Sequence, residues 1–491
     1  MVTRGAALFM AVLGAAPASA GFSPDDKEKI EEAREFLRKN TEQDVRRGAS
    51  ICLELDNVAS IEALLEVLSA TQPHFRDIVW EFIPRFRDPY AQRRIAQELQ
   101  TNKRDGRVRQ WCAEALGLFG NAEFGGVLEA ALADKEAFVR CAAVQALGQI
   151  PYGPAGKKIE KFARNKDVVL RTCAREALAR IDPEKYEKTF FDGLEDDDPG
   201  ARCAILGVVP RLFPDRAEEI SVRLLDDEDW RPRIQAVDNL TAIRTKTAVD
   251  ALVRASRDGR PVVAHRAMAH LQKIGDKKFD LPEQWDLWWK ESRESFQFPE
   301  GRPPAKDDEA APTGVTYNKL RVVSDHVAFV IDKSRDMTNP TAAAVMKDQR
   351  AREELDRTLS GLRGKDFVFN VHTYGTQFRS LSPKPIRLDE RSQKAATRFV
   401  SGVTPDGLKS IWEVLETVVT DPTLDTVYLL SSGEPEVGLY VHWNRVTHHL
   451  KELNRFHKVV VHTVAYSDSE WYREQLQKIA EATGGEFAWE D

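Results

Sequence analysis

The chain has 491 residues, 42% of them hydrophobic, and carries 71 basic against 78 acidic side chains for a formal charge of −7. That length and apolar content suffice for two or three domains with sizeable cores. The acidic balance, with no run of basic residues, gives no attraction for a phosphate backbone or an anionic lipid surface, so nucleic acid is not an expected partner.

In chain order, residues 1–20 come first and read as an export leader. Arg4 supplies the positive end, GAALFMAVLGAA the apolar stretch, and Ala18-Ser19-Ala20 a small-residue cleavage site before Gly21. No cysteine follows that site, and no later run reaches the ~18 apolar residues needed to span a bilayer. The expectation is a periplasmic or secreted protein without an integral membrane segment.

From residue 21 to about 275 one register dominates. Arg47, Arg109, Arg140, Arg171, Arg202 and Arg233 are separated by multiples of 31 residues. Three residues later stand Cys112, Ala143, Ala174, Ile205 and Ala236, seven later Leu116, Leu147, Leu178, Val209 and Leu240, and four earlier Asp105, Glu136, Asp167, Asp198 and Asp229. Such a period means stacked units, none of which can bury its apolar face alone. The acid caps a helix, the +3 and +7 positions face the next unit, and the arginines form a ladder tying units together through the acids. Extrapolation brings Ile78 and Ala264 onto the register, for about eight helix pairs. The D-x-x-V-R-x-x-A-x-x-x-L look of GRVRQWCAEALG and AFVRCAAVQALG resembles bacterial HEAT-like repeats, which implies an all-α solenoid. All five cysteines (Cys52, Cys112, Cys141, Cys173, Cys203) lie in these repeats, and core entry favours buried thiols over bridges.

Residues 276–298 hold Trp285, Trp288 and Trp289 on one helix face, read as a cap on the solenoid end. Residues 299–316, rich in proline, alanine, lysine and aspartate, read as an extended linker between two halves. Beyond it, HVAFVID (326–332), FVFNVHTY (367–374), DTVYLLSS (425–432) and KVVVHTVAY (458–466) are buried-strand runs alternating with helical stretches, as in a doubly wound parallel sheet. Ligands of such sheets bind beyond the carboxyl ends of the strands.

At the end of the first run stands Asp332-Lys333-Ser334-Arg335-Asp336; with LLSSGEP and EATGGEF it resembles a von Willebrand factor A (VWA) domain over 317–491. The resemblance implies a metal-ion-dependent adhesion site, in which hard oxygen ligands hold magnesium and a partner carboxylate completes its shell. Asp332 and Ser334 match that site's motif, whereas Asp336 stands for its second serine, Lys409 for its threonine and Ser432 for its aspartate. Lys409 brings a positive charge to the cation's place and Ser432 removes an acidic anchor. The expectation is a degenerate site at Asp332, Ser334 and Asp336 in which Lys409 pairs with Asp332 or Asp336, with no cofactor needed. A retained magnesium site is the alternative.

Catalytic signatures are absent from the sequence: no GxxxxGK[ST], GxSxG or HExxH occurs, and His442, His448 and His449 read as surface histidines. The leading function is a non-enzymatic exported scaffold that binds another protein. Arg335, Lys409 and Ser432 near the strand ends are the candidate partner-binding residues. A metal-dependent adhesin, gripping an acidic partner residue through magnesium, is the second reading. A lyase-type enzyme, suggested by the HEAT-like lyase families, is the third, and the export leader weighs against it.

Overall fold

The computed structural model describes residues 24–39, 41–69, 73–298, 314–341 and 344–490. The expected leader at 1–20 and most of the expected linker at 299–316 lie outside the described residues. The protein forms two compact units, Met1–Gly193 and Leu194–Asp491.

Among its described residues the first unit is built from helices, in pairs such as Gly106–Phe119 with Gly125–Ala131, Ala137–Gln149 with Gly156–Phe162, and Val168–Ile181 with Pro183–Phe191. The register positions are its core: Leu116, Leu147, Leu178, Ala143 and Ala174 are fully buried. Close helix approach depends on small residues, since a Cβ on Gly148 would lie 2.7 Å from the Ala177 Cα. The acids four residues before the arginine do cap, Asp105 accepting from the Arg107 and Val108 amides and Asp167 from Leu170, although Glu136 makes no such bond. Those acids are therefore spent on helix ends, which corrects the expected ladder. The rung is a different aspartate: Arg109 grips Asp134 in a bidentate pair (2.7 and 2.9 Å), twenty-five residues on and six before Arg140. All five thiols are free, four of them buried and Cys141 half-buried, and burial raises those of Cys52, Cys141 and Cys203 to about 12.

The second unit continues the same register. Helices Pro199–Leu212, Trp230–Ile243 and Pro261–Gly275 carry it, with rungs from Arg202 to Asp227 and from Arg233 to Asp258. The helix Pro282–Ser292 closes the stack: Trp285 and Trp289 are buried, and Asp250 accepts from the Trp289 indole (2.6 Å) and from Arg293 (2.8 and 2.9 Å). A sheet of seven strands follows, β3 (His326–Asp332), β4 (Val368–Tyr374), β5 (Phe378–Ser380), β6 (Ile386–Arg387), β7 (Thr426–Ser431), β8 (Val460–Ala465) and β9 (Phe487–Trp489), preceded by a hairpin of β1 (Thr316–Tyr317) and β2 (Leu320–Arg321). The order β5-β4-β3-β7-β8-β9 is doubly wound, and β3, β4, β7, β8 and β9 run parallel. Helices Ile411–Val419, Trp443–His457 and Glu470–Thr483 cover one face, Lys347–Leu362 and Glu390–Ser401 the other. The strand order reverses between β3 and β7, so their carboxyl ends open the crevice where such sheets bind ligands.

Within this unit the repeats and the sheet are packed together. A Cβ on Gly200 would come within 2.7 Å of the Phe456 carbonyl oxygen, so only glycine lets helix Pro199–Leu212 approach helix Trp443–His457 this closely. Arg260 pairs with the fully buried Asp425 (2.6 Å), Arg266 donates to the Gly484 carbonyl (2.6 Å), and Asp238 joins Arg266 (2.8 Å) to Lys458 (3.3 Å). The compact units part at Gly193/Leu194, inside the repeats.

Candidate functional site

The β3 strand is buried without a break from Val327 to Asp332, as expected of a central parallel strand covered on both faces, and Asp332 at its carboxyl end is fully buried at the crevice. Its carboxylate is satisfied by protein donors alone. One oxygen accepts from the Ser334 amide (2.7 Å), the other from the Ser432 amide (2.9 Å) and hydroxyl (2.7 Å). The Ser334 and Ser432 hydroxyls stand 3.5 Å apart. The structure thus brings Asp332, Ser334 and Ser432 together, and the lost aspartate at 432 is replaced by a hydroxyl that donates to the carboxylate.

Lys409 lies beside them on the loop before helix Ile411–Val419. Its ammonium, 4% exposed, donates to Asp336 (2.6 Å) and to Glu436 (3.1 Å). Burial works against its charge, yet the hydrogen bond to Asp336 and the fields of Asp332, Asp336 and Glu436 outweigh it and hold the ammonium above the usual lysine range. The side chain runs over Gly433, where a Cβ would meet the Lys409 Nζ at 2.6 Å. As an oxygen cage for magnesium this set fits poorly. An ammonium stands among the acids that would carry the ion, and the Asp332 oxygens are already bonded.

Three of the expected contact residues differ in what they offer. Arg335 is exposed, with its amide bonded to the Gly407 carbonyl (3.2 Å). Lys409 and Ser432 are buried and committed to Asp336, Glu436 and Asp332, so neither is presented to a partner. His442 is also corrected: it is buried and caps helix Trp443–His457, while His449 stacks on Tyr440 at 3.8 Å.

Two further parts of the site were missed from sequence. Glu436 takes the Lys409 amide (3.2 Å) as well as its ammonium, and its only signal was a second acid in GEPEV. Lys333, inside the motif, is buried and pairs with Asp348; burial is the larger influence and lowers its titration range. The loops are locked to each other by main-chain bonds, Asp406 N to Lys333 O (2.8 Å) and Ser410 N to Gly375 O (2.9 Å). A close-packed, internally charge-paired platform results.

The profile of the family described as HEAT repeats matches residues 93–179, so HEAT repeats occupy that stretch. No curated protein sequence matches the chain. Solved structures similar to it include a von Willebrand factor type A protein from Catenulispora acidiphila, at 19% identity over 34% of this chain and 39% of that one, TM-score 0.28. The complex of CpcE and CpcF of phycocyanin lyase from Nostoc sp. is similar at 18% identity over 56% and 97%, TM-score 0.27. Human deoxyhypusine hydroxylase is similar at 16% identity over 50% and 96%, TM-score 0.24. The chain spans well under half the length of the Catenulispora protein, and the fold assignment here rests on the HEAT match and on the strand order of the sheet. Among the described residues no helix is long and apolar enough to cross a membrane.

Proposed function

We propose that this protein is an exported, non-enzymatic scaffold that binds another protein, and that its VWA-like face works without a divalent cation. The observation that carries the second half is the Lys409 ammonium, 2.6 Å from Asp336 and 3.1 Å from Glu436, standing where the resemblance implies a metal. A tethered ammonium supplies the positive charge the acids need but has no coordination position for a partner carboxylate. HEAT repeats supply the binding surface, since stacked helix pairs expose long continuous faces. The leader at 1–20 supports export to the periplasm or beyond. The test is calorimetric titration with magnesium. The wild-type protein should give no binding heat at millimolar metal, and capture of a partner from envelope extract should survive EDTA. Tight magnesium binding by the unmodified protein, or capture abolished by EDTA and restored by magnesium, would replace this function with the metal-dependent adhesin.

A further inference from the structure

In the first unit a cavity of about 520 Å³ opens between neighbouring helix pairs, lined by Leu53, Asp56, Arg85, Arg87, Gln92 and Leu118 among others. Two arginines outnumber the single carboxylate in its lining, and the reason they stand together lies in local backbone geometry. Phe86 is extended (φ −64°, ψ 135°) and its ring is buried, so the flanking residues Arg85 and Arg87 leave the chain on the opposite side, together, and both are exposed. Arg85 rests over the Phe82 ring (5.5 Å), and neither guanidinium forms an ion pair with any described residue. The one carboxylate in the lining is already used: Asp56, at φ 40° on the end of helix Glu42–Leu55, accepts from the amides of Arg87 (3.0 and 3.1 Å) and Asp88 (3.1 Å). Those bonds fix the segment that carries the arginines, and the Asp56 oxygens are bonded to main-chain amides and not to either guanidinium. Gln92 is fixed likewise, donating to the Phe86 carbonyl (2.9 Å). Leu118, 57% exposed, stands on the rim.

We propose that this cleft is a docking site for an acidic peptide segment of the scaffold's partner, in which carboxylates meet Arg85 and Arg87 and a neighbouring aliphatic side chain covers Leu118. Paired guanidiniums match carboxylates in bidentate geometry, and an exposed leucine beside them adds apolar contact that a free inorganic anion cannot use. The proposal rests on the protein-binding function above and assigns it a place and a partner chemistry.

The full chain is titrated into fluorescein-labelled Leu-Glu-Glu-Leu and Leu-Lys-Lys-Leu peptides, with anisotropy as the readout. Wild-type protein should bind the acidic peptide and not the basic one, with affinity falling as salt rises. Arg85→Glu with Arg87→Glu should weaken binding at least tenfold while leaving the circular dichroism spectrum and melting temperature unchanged, since both side chains are exposed. Arg85→Gln with Arg87→Gln should give an intermediate loss, and Leu118→Ala, which removes apolar contact without adding charge, should weaken the peptide but not inorganic phosphate. Wild-type protein that ignores the acidic peptide, or a charge-reversed variant binding within twofold of wild type, overturns the site. If that happens while envelope-extract capture persists, the scaffold function stands and only the cleft is rejected. Loss of both rejects the function itself.

Discussion

Arg260→Ala should cost about 3 kcal/mol of stability, with a loss that grows with pH. The arginine comes from the repeats, its partner Asp425 from the start of β7, and Asp425 is fully buried with its other bonds to the hydroxyls of Ser324 and Thr426. Removing one member of a buried pair leaves an uncompensated charge, typically about 3–5 kcal/mol, and the two hydroxyls place this case near the lower end. Burial, the largest influence, already raises the Asp425 titration range above the ordinary carboxylate value of 3.8, and Arg260 opposes it. A carboxyl with a raised folded-state value stabilises fully below its unfolded value, and that stability is lost as pH rises through the folded value. Without Arg260 the folded value rises further, so the deficit of the variant should be larger at pH 8 than at pH 5. Asp425→Asn should cost less, roughly 1 kcal/mol, because Arg260 is partly exposed and can rehydrate. The double variant should be milder than the sum of the two by about 2 kcal/mol. Urea denaturation followed by tryptophan fluorescence reads all of these. A loss below about 1 kcal/mol for Arg260→Ala, additive singles, or a deficit independent of pH would show that the pair does not hold repeats and sheet together.

Leu147→Asp places a charge at a fully buried register position between stacked helices and should cost roughly 4 kcal/mol or more, melting its neighbouring repeats first; hydrogen exchange in Val168–Ile181 is the measurement, and unchanged protection there would reject the register as the packing face. Lys409→Thr with Ser432→Asp should create calorimetric magnesium affinity by removing the ammonium that pairs with Asp336 and adding an oxygen anchor beside Asp332; the same titration giving no heat would mean that another feature blocks the site. Asp250→Ala should loosen the Trp-rich cap by under about 1 kcal/mol, since Asp250 is partly exposed. Its carboxyl is held below the ordinary value of 3.8, chiefly by the Arg293 hydrogen bond, so its contribution is present above that value and disappears as pH falls through the lowered one; a cap whose melting is insensitive to this change assigns its stability to the indoles alone.

Much of the fold was legible because it depends on periodic apolar burial. From Arg109 onward the +3 and +7 positions of the repeats, the run HVAFVID ending at Asp332, and the indole face at Trp285 and Trp289 are buried as their spacing implies, whereas the register fails at Arg47 and Ile78, whose +7 residues Glu54 and Arg85 are exposed. What escaped was pairing between polar groups far apart in sequence. The rung acid could not be told from the capping acid, because Asp134 and Glu136 precede Arg140 by six and four residues and only geometry shows which one Arg109 reaches. Arg260 and Arg266 look like solvated helix residues until Asp425 and the Gly484 carbonyl are brought to them. The short strands β5, β6 and β9 carry too few residues for a period to register. At the candidate site, Asp332, Ser334 and Lys409 were identifiable from their place after β3 and before helix Ile411–Val419, whereas Glu436 and the Lys333–Asp348 pair needed the loops to be folded.

The two ends of the sheet answer one electrostatic problem in two ways. Parallel strands feed Asp332 out at the carboxyl end and Asp425 in at the amino end, and both carboxylates are fully buried. Asp332 is met by main-chain and hydroxyl donors with Lys409 in the next shell, Asp425 by two hydroxyls and a guanidinium from the repeats. In both places the positive charge is covalently part of the chain, so its local concentration does not depend on the solution, and no change in divalent ion can alter it. A cation bound from solution makes a face whose affinity follows metal supply. A tethered lysine makes one whose charge is fixed once the loops have folded. If the proposed metal-free binding holds, salt, which screens Arg335 at the surface, should weaken a complex far more than chelation does, because Lys409 and not a dissociable ion carries the positive charge beside Asp336 and Glu436.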